Sequence, residues 1–232
     1  MKRRALVTGA TGGLGRTLVP ALVAAGYDVT ATGRDPAAGA ELEAAGARFV
    51  AADLCDPEAD LVPEGTDVVF HLAALSSPWG RARDFAAINV DATRRLLDRA
   101  RAPGCDCFVY ASTPSIYAEP RDRLDINEAS PPARRFVNDY AATKYQAEQA
   151  VLAASSDEFR TIAIRPRAIV GPHDKVLLPR LIRASRRGRM PLPNGGRALI
   201  ELTDVRDAAA AFLAADAARE RSAGQAFNIS GG

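Results

Sequence analysis

Cysteine and histidine are scarce in this chain of 232 residues, which has three of the first and two of the second. The odd set Cys55, Cys105 and Cys107 is too sparse for a disulfide framework. Cys105 and Cys107 would share one face at the start of a strand. Neither histidine lies near them in sequence, so burial is expected of them rather than a metal, and no metal site is predicted. An excess of one charge is missing too. Thirty Lys and Arg against 28 Asp and Glu leave a net charge of +2, which asks for neither nucleic acid nor a membrane surface as partner. No stretch approaches the roughly 20 apolar residues of a membrane span. Met1-Lys2-Arg3-Arg4 runs straight into a strand and a glycine turn, where a secretory leader would have an apolar segment. A cytoplasmic location is therefore the expectation. The chain also lacks an internal repeat and a low-complexity linker.

What the chain does have is a distinctive opening. Ala5-Leu6-Val7 reads as a buried strand and empties directly into Thr8-Gly9-Ala10-Thr11-Gly12-Gly13-Leu14-Gly15, with a helix of Leu, Val and Ala to follow. Strand, glycine-rich turn and helix form the arrangement that holds a dinucleotide pyrophosphate. Gly9 permits a tight turn, Gly12 lets the backbone approach the phosphates, and Gly15 lets the helix pack close to the strand. Free N–H groups at the helix start face the negative charge, and Thr11, Gly13 and Leu14 belong to the same cradle. A plain turn can show the same glycines, so the rest of the chain has to decide.

With 47% hydrophobic and 25% charged residues, the chain is long enough for one large α/β domain. Apolar runs and helical patterns alternate: a helix over 16–25 ended by Gly26, a strand over 28–32, a helix over 37–45, a strand over 48–51 and a turn at Asp53-Leu54. A strand over 68–70 then runs into His71-Leu72-Ala73-Ala74, followed by a long helix over 83–101 and a strand over 107–111. Such alternation predicts a Rossmann-type, doubly wound parallel sheet covered on both faces, with right-handed crossovers. Residues 114–132 carry four prolines and mixed charge and read as a surface excursion. Beyond it come a helix over 138–154 capped by Asn138 or Asp139, a strand over 161–164 and a proline- and glycine-marked turn over 165–174. A helix over 176–187, a loop over 191–196, a short strand over 198–202, a helix over 205–218 and a strand over 226–229 complete the chain. The basic cluster over 180–189 reads as the solvated side of its helix. One domain over 1–232 is expected, with a small substrate cap built from about 118–135 and 166–199.

Tyr140 and Lys144 stand four residues apart on a predicted helix and project from one face. An ammonium held near a phenol favours the phenolate and lowers its pKa from about 10, which makes tyrosine a usable acid or base near neutrality. Ser112 and Thr113 lie at the C-terminal end of a strand, the edge where doubly wound sheets bind their ligands. Hydroxyl, phenol and ammonium thus converge where the reactive ring of a dinucleotide belongs.

On these motifs, in this order, the chain resembles an extended short-chain dehydrogenase/reductase of the NAD-dependent epimerase/dehydratase family along nearly its whole length. The matching segments are the glycine turn from Thr8 to Gly15, the Asp53-Leu54 adenine-contacting turn and the strand end His71-Leu72-Ala73-Ala74. Further on come the helix with Asn89 and Thr93, the strand Ala111-Ser112-Thr113-Pro114-Ser115-Ile116-Tyr117, Tyr140-x-x-x-Lys144, Arg165-Pro166, Gly171-Pro172 and Val205-Arg206-Asp207. The resemblance implies hydride transfer at a nicotinamide. Tyr140 would exchange a proton with the substrate oxygen, Thr113 would hold that oxygen, and Lys144 would bind the nicotinamide ribose. Leu72, Ala73, Ala74, Asn89 and Pro166 would join the cofactor site. His71 reads as a satisfied structural histidine, and Asn89 could equally serve to tie backbone together. A homodimer packed through the helices over 83–101 and 138–154 is the assembly the resemblance implies.

Three departures shape the functional reading. Where NAD-using members commonly close the second strand with an acidic residue, this chain has Thr32-Gly33-Arg34-Asp35; a small residue leaves room for a 2′-phosphate and a guanidinium pairs with it. NADP is expected, with NAD the alternative through Asp35. Ile200 stands where sugar-nucleotide enzymes of this type place an arginine for the substrate pyrophosphate, so a small carbonyl or alcohol is the expected substrate. The family also often continues past Phe227-Asn228-Ile229-Ser230 with further helices, so the substrate site is expected to be small and open or completed elsewhere. The leading expectation is an NAD(P)-dependent oxidoreductase. An epimerase or dehydratase acting on a nucleotide sugar, and a regulatory protein that binds dinucleotide without chemistry, are its rivals.

Overall fold

The computed structural model describes residues 2–56, 59, 61–77, 79–101, 104–188, 193–197 and 199–231. Among the described residues β1 (Arg4–Thr8), β2 (Asp28–Gly33), β3 (Arg48–Ala51), β4 (Val68–His71), β5 (Cys107–Ala111), β6 (Arg160–Pro166) and β9 (Gln225–Ile229) form one seven-stranded parallel sheet. Their order across it is β3-β2-β1-β4-β5-β6-β9. The central strands are continuous apolar runs because a parallel sheet is covered on both faces. Alternate residues serve alternate cores. Ala5, Val7, Phe70, Val109 and Ile164 face α1 (Gly15–Ala24) and α7 (Val205–Ala217), whereas Leu6, Val69, Phe108, Tyr110 and Ala163 face α4 (Ala92–Ala100) and α5 (Asp139–Ala153). Chain order reverses between β1 and β4, and the crevice at their C-terminal ends is where such sheets take ligands.

Helix ends follow local chemistry. Gly26, at φ +89°, closes α1 while the Tyr27 N–H donates to the Leu22 carbonyl. Asp35 caps α2 (Pro36–Ala44), accepting from the Ala37 and Ala38 N–H groups at 3.1 and 3.3 Å. Asn138 caps α5, accepting from the Ala141 N–H at 2.9 Å.

Four expectations are corrected. The single helix over 83–101 is a short α3 (Ala82–Phe85), a π-wound segment (Ala86–Asp91) and α4. The excursion over 114–132 opens on a 3-10 turn, Pro114–Tyr117, whose Ile116 and Tyr117 are buried beneath the sheet edge. Arg165 and Pro166 extend β6 instead of starting a turn. The strand expected over 198–202 is displaced: β7 (Ile169–Val170) pairs with β8 (Thr203–Asp204), and Leu199 and Ile200 are exposed, so strand pairing begins only where Thr203 is buried. Ala198, Arg189 and the start of the loop over 191–196 lie outside the described residues. The basic residues Arg180, Arg183 and Arg186 of α6 (Leu178–Arg186) face solvent as expected, but Leu181 and Ile182 do too, and the helix buries no residue. No helix among the described residues is long and apolar enough to cross a membrane.

Candidate active site

A cavity of about 850 Å³ runs along the C-terminal edge of the sheet from β2 to β6. The glycine turn forms its floor. Gly9 has φ +68°, and a Cβ there would sit 2.6 Å from the Ala73 nitrogen, so this glycine lets the turn abut the exit of β4. A Cβ on Gly15 would meet the Cα and carbonyl oxygen of Ala10 at 2.5 Å; the close approach is to the turn itself, a refinement of the strand contact expected. Gly12 and Gly13 leave their backbone facing the cavity with Thr11 and Leu14 alongside, and the carbonyl oxygen of His173 comes within 3.1 Å of a Cβ placed on Gly13. The segment over 171–175 therefore passes directly over the glycine turn, a contact that no local sequence pattern announces.

One flank holds Arg34, Asp53 and Leu54. Asp53 accepts from the Cys55 N–H at 2.9 Å and so shapes that turn. Arg34 is exposed and lines the cavity, whereas the Asp35 carboxylate is engaged in capping α2. Beyond the turn, Leu72, Ala73 and Ala74 form the wall, and the Leu72 N–H donates to the Thr8 carbonyl at 3.1 Å. His71 behind them is fully buried, with Nδ1 2.6 Å from Thr8 Oγ1 and Nε2 2.8 Å from Thr93 Oγ1. Burial, reinforced by Lys144, lowers its pKa to about 3, and a neutral imidazole tying two strands to a helix is what results.

Asn89 does not line the cavity. From the π-wound segment its Oδ1 accepts from the Leu75 N–H at 2.7 Å, and its Nδ2 donates to the Leu75 carbonyl and to Thr143 Oγ1 at 3.3 and 3.1 Å. Asn89 thereby ties the β4 exit to α5, the backbone-tying role the sequence also allowed it. Both N–H donors of its amide are used within the fold.

At the far end stand Thr113, Tyr140 and Lys144. Thr113 Oγ1 accepts from the Ser115 N–H at 3.2 Å, capping the 3-10 turn, and donates to Ser115 Oγ at 3.1 Å. Tyr140, in the first turn of α5, has the hydroxyls of Thr113 and Ser76 within reach of its phenol. Lys144 is buried one turn further on; its Nζ donates to the Ala111 carbonyl at 2.5 Å and lies 4.0 Å from the centre of the Tyr110 ring. The electrostatics differ from those expected. Burial raises the Tyr140 pKa and the Thr113 and Ser76 hydroxyls pull the other way. Burial lowers Lys144 itself to about 7 with Glu148 opposing, and this holds although its ammonium faces the Ala111 carbonyl and the Tyr110 ring, contacts that favour the charged form. Four-residue spacing puts both groups on one face; it does not aim them at each other.

The cavity suits a dinucleotide on its own geometry. The glycines open a backbone cradle that a Cβ would fill or distort, and two buried hydroxyls on its lining, Thr32 Oγ1 and Ser112 Oγ, have no partner among the described residues. Sequence reasoning missed Ser76, Ser115 and Ile88 as lining residues, whereas Pro166 and the stretch from Ala168 to Leu177, which also line the cavity, fall within the cap segment expected over 166–199. Of the two cap segments expected, 166–177 lines the cavity and 118–135 packs away from it, with Glu128 accepting from the Asn228 N–H at 2.7 Å. Cys105 and Cys107 are buried, and Cys105 Sγ donates to the Cys107 carbonyl.

A parallel sheet with a glycine turn at its switch point, and a tyrosine and a lysine one helical turn apart at the other end of the same cavity, define the short-chain dehydrogenase/reductase class. Residues 5–230 match the model of the NAD dependent epimerase/dehydratase family. The chain is 39% identical over 234 residues to a 2-alkyl-3-oxoalkanoate reductase of Stenotrophomonas maltophilia, covering 98% of this chain and 70% of that protein. It is 32% identical over 235 residues to the human sterol-4-alpha-carboxylate 3-dehydrogenase (decarboxylating), covering 98% and 62%. The solved structure of MoeE5 in complex with UDP-glucose and NAD superposes with a TM-score of 0.82 at 30% identity, covering 98% of this chain and 76% of the other. The chain belongs to the NAD-dependent epimerase/dehydratase family and is an enzyme of the extended short-chain dehydrogenase/reductase type.

Proposed function

We propose that this enzyme is an oxidoreductase that moves a hydride between a nicotinamide cofactor, NADP in preference to NAD, and a secondary alcohol or ketone on a largely apolar substrate. The observation that carries the reading is the placement of the Tyr140 phenol beside the Thr113 and Ser76 hydroxyls, in a cavity whose opposite end is the glycine turn. Bound there, the nicotinamide would supply or accept the hydride. Tyr140 gives a proton to the substrate oxygen during reduction and takes it back during oxidation. Thr113 holds that oxygen, and Lys144 holds the nicotinamide ribose. Gly9 to Gly15, Asp53, Leu54, Leu72 to Ala74 and Pro166 bind the remainder of the cofactor.

The NADP preference rests on Arg34, exposed on the cavity wall and in no ion pair among the described residues, and on Asp35, whose carboxylate is occupied as a helix cap. The substrate class rests on the apolar side chains of Leu75, Ile88, Ile169 and Val176 in the lining. It is consistent with the two named relatives, whose names both place the reacting oxygen two carbons from a carboxyl carbon. The likeness to MoeE5 supports a nucleotide-sugar reading, against which stands Ile200, exposed where an arginine for the pyrophosphate is expected.

Turnover of added NADPH or NADP with a panel of 3-oxo and 3-hydroxy acids tests the proposal. Tyr140→Phe should reduce turnover by about 10²- to 10⁴-fold while NADPH still binds. Wild-type conversion of a nucleotide sugar without net change in the cofactor would establish the epimerase reading instead, and full activity of Tyr140→Phe would remove the phenol from the chemistry.

A further inference from the structure

One buried ion pair lies outside the cavity yet touches each element that supplies the proposed catalytic groups. Glu148 is fully buried on α5, one turn beyond Lys144 and two beyond Tyr140. Arg165, buried near the end of β6, meets it with two arms: Nε donates to Oε2 at 2.7 Å and Nη2 to Oε1 at 2.5 Å. The third arm, Nη1, donates to the hydroxyl of buried Tyr117 at 2.5 Å. Tyr117 closes the 3-10 turn that Thr113 caps, and its hydroxyl also donates to Asn228 Oδ1 on β9 at 3.4 Å. None of the three residues lines the cavity.

A buried ion pair is a poor way to gain stability, because desolvation of both charges offsets most of their attraction and an apolar pair of equal volume does as well or better. What a planar guanidinium does supply is direction. Three donors in a fixed fork hold three acceptors in one plane, and here those acceptors belong to the helix of Tyr140 and Lys144 and to the turn of Thr113. We infer that Arg165, with Glu148 and Tyr117, is a positioning residue that registers the Tyr140–Lys144 face of α5 against Thr113, without itself touching substrate or cofactor. The inference rests on the hydride-transfer reading for its kinetic consequence, but the registration can be read without turnover. Glu148 has a second effect in the same sense: its carboxylate opposes the desolvation of Lys144, so it helps keep the ammonium charged.

Two variants separate registration from mere support of the fold. Tyr117→Phe cuts only the third arm, keeping the ring and the ion pair. The double variant Glu148→Met with Arg165→Met removes both charges together and leaves no buried charge unpaired. Each should fold, bind NADPH as the wild type does, and lose about tenfold or more in kcat with KM held, since misplacement of a catalytic group by about 1 Å can cost a hundredfold. Arg165→Lys, with its point charge, should not restore kcat. A wild-type kcat in folded Tyr117→Phe would overturn the inference even if the double variant did not fold. If the wild type itself turns nothing over, the proposed function fails, and tyrosinate absorbance decides the registration alone. The titration of Tyr140, isolated by difference against the matching Tyr140→Phe protein, should move to higher pH in Tyr117→Phe as Thr113 is released from the phenol. Tyr110, His71, Lys144 and Glu148 also face this site but are unchanged between the two, and an unmoved titration would refute the inference.

Discussion

The residue with the most unusual charge state is Lys144. Its pKa falls to about 7 in the folded chain against about 10.5 unfolded, through burial. Between those values the unfolded chain binds the proton and the native state does not, so stability rises with pH from about 7 towards 10.5 and is lost as pH falls through 7. Thermal melts at pH 7 and 9 should show this rise in the wild type relative to Lys144→Met, and parallel curves for the two would show that Lys144 does not titrate in this range. Arg34 offers a second test at the same scale. Arg34→Ala should weaken NADPH binding by about tenfold or more and leave NADH nearly unchanged, the loss expected of one charge-assisted contact; equal loss for both would remove the 2′-phosphate argument. The lysine also shows where sequence reasoning stops. Its spacing from Tyr140 was legible, but the direction of its ammonium depends on the Ala111 carbonyl and the Tyr110 ring, which belong to a strand 33 residues away.

Among the elements, α5 joins local and tertiary order most directly. Asn138 fixes its first turn, in which Tyr140 lies, so Asn138→Ala should cost about 1 kcal/mol of stability by urea unfolding and also lower turnover, because fraying there moves the phenol. A stability loss with unaltered turnover would show that tertiary contacts alone hold Tyr140. This helix was readable in the sequence because its cap and its pattern agree. Strands β1 and β5 were equally readable, as short apolar runs bounded by turn residues. The π-wound stretch was not, since six residues at altered pitch leave the apolar spacing almost intact while turning Asn89 towards Leu75 and Thr143. Nor was the Glu148–Arg165 pair, which is local to no window of sequence: a proline after Arg165 suggested a turn, and only the pairing of β6 with both β5 and β9 shows it to be a buried strand end.

Across the whole molecule, the two ends of the sheet do different work. At the C-terminal ends of the strands lies the cavity. At the opposite ends Asp216, fully buried on α7, accepts from Arg3 at 2.7 and 2.8 Å and from the Tyr27 hydroxyl at 2.7 Å, while Arg3 also meets Asp106 ahead of β5. This network joins β1, β2, β5 and α7 far from the site. Asp216→Asn should therefore lower stability by about 2 kcal/mol without altering cofactor affinity; a change in NADPH binding would show that the two ends are coupled.

The contact between Gly33 and Thr11 bears on how this protein could change its diet of electrons. A Cβ at position 33 would lie 2.6 Å from Thr11 Oγ1 and 2.8 Å from its methyl carbon, and the neighbouring carboxylate of Asp35 is committed to starting α2. An acidic residue placed at 33 to grip an adenosine ribose therefore displaces the Thr11 side chain, and the carboxylate at 35 cannot be borrowed without uncapping a helix. Gly33→Asp alone should lose both dinucleotides, whereas Gly33→Asp combined with Thr11→Gly should bind NADH, as fluorescence titration would show. On the proposed NADP preference, Thr11 has to give way before position 33 gains a carboxylate, so the order in which the two residues change decides whether a coenzyme stays bound.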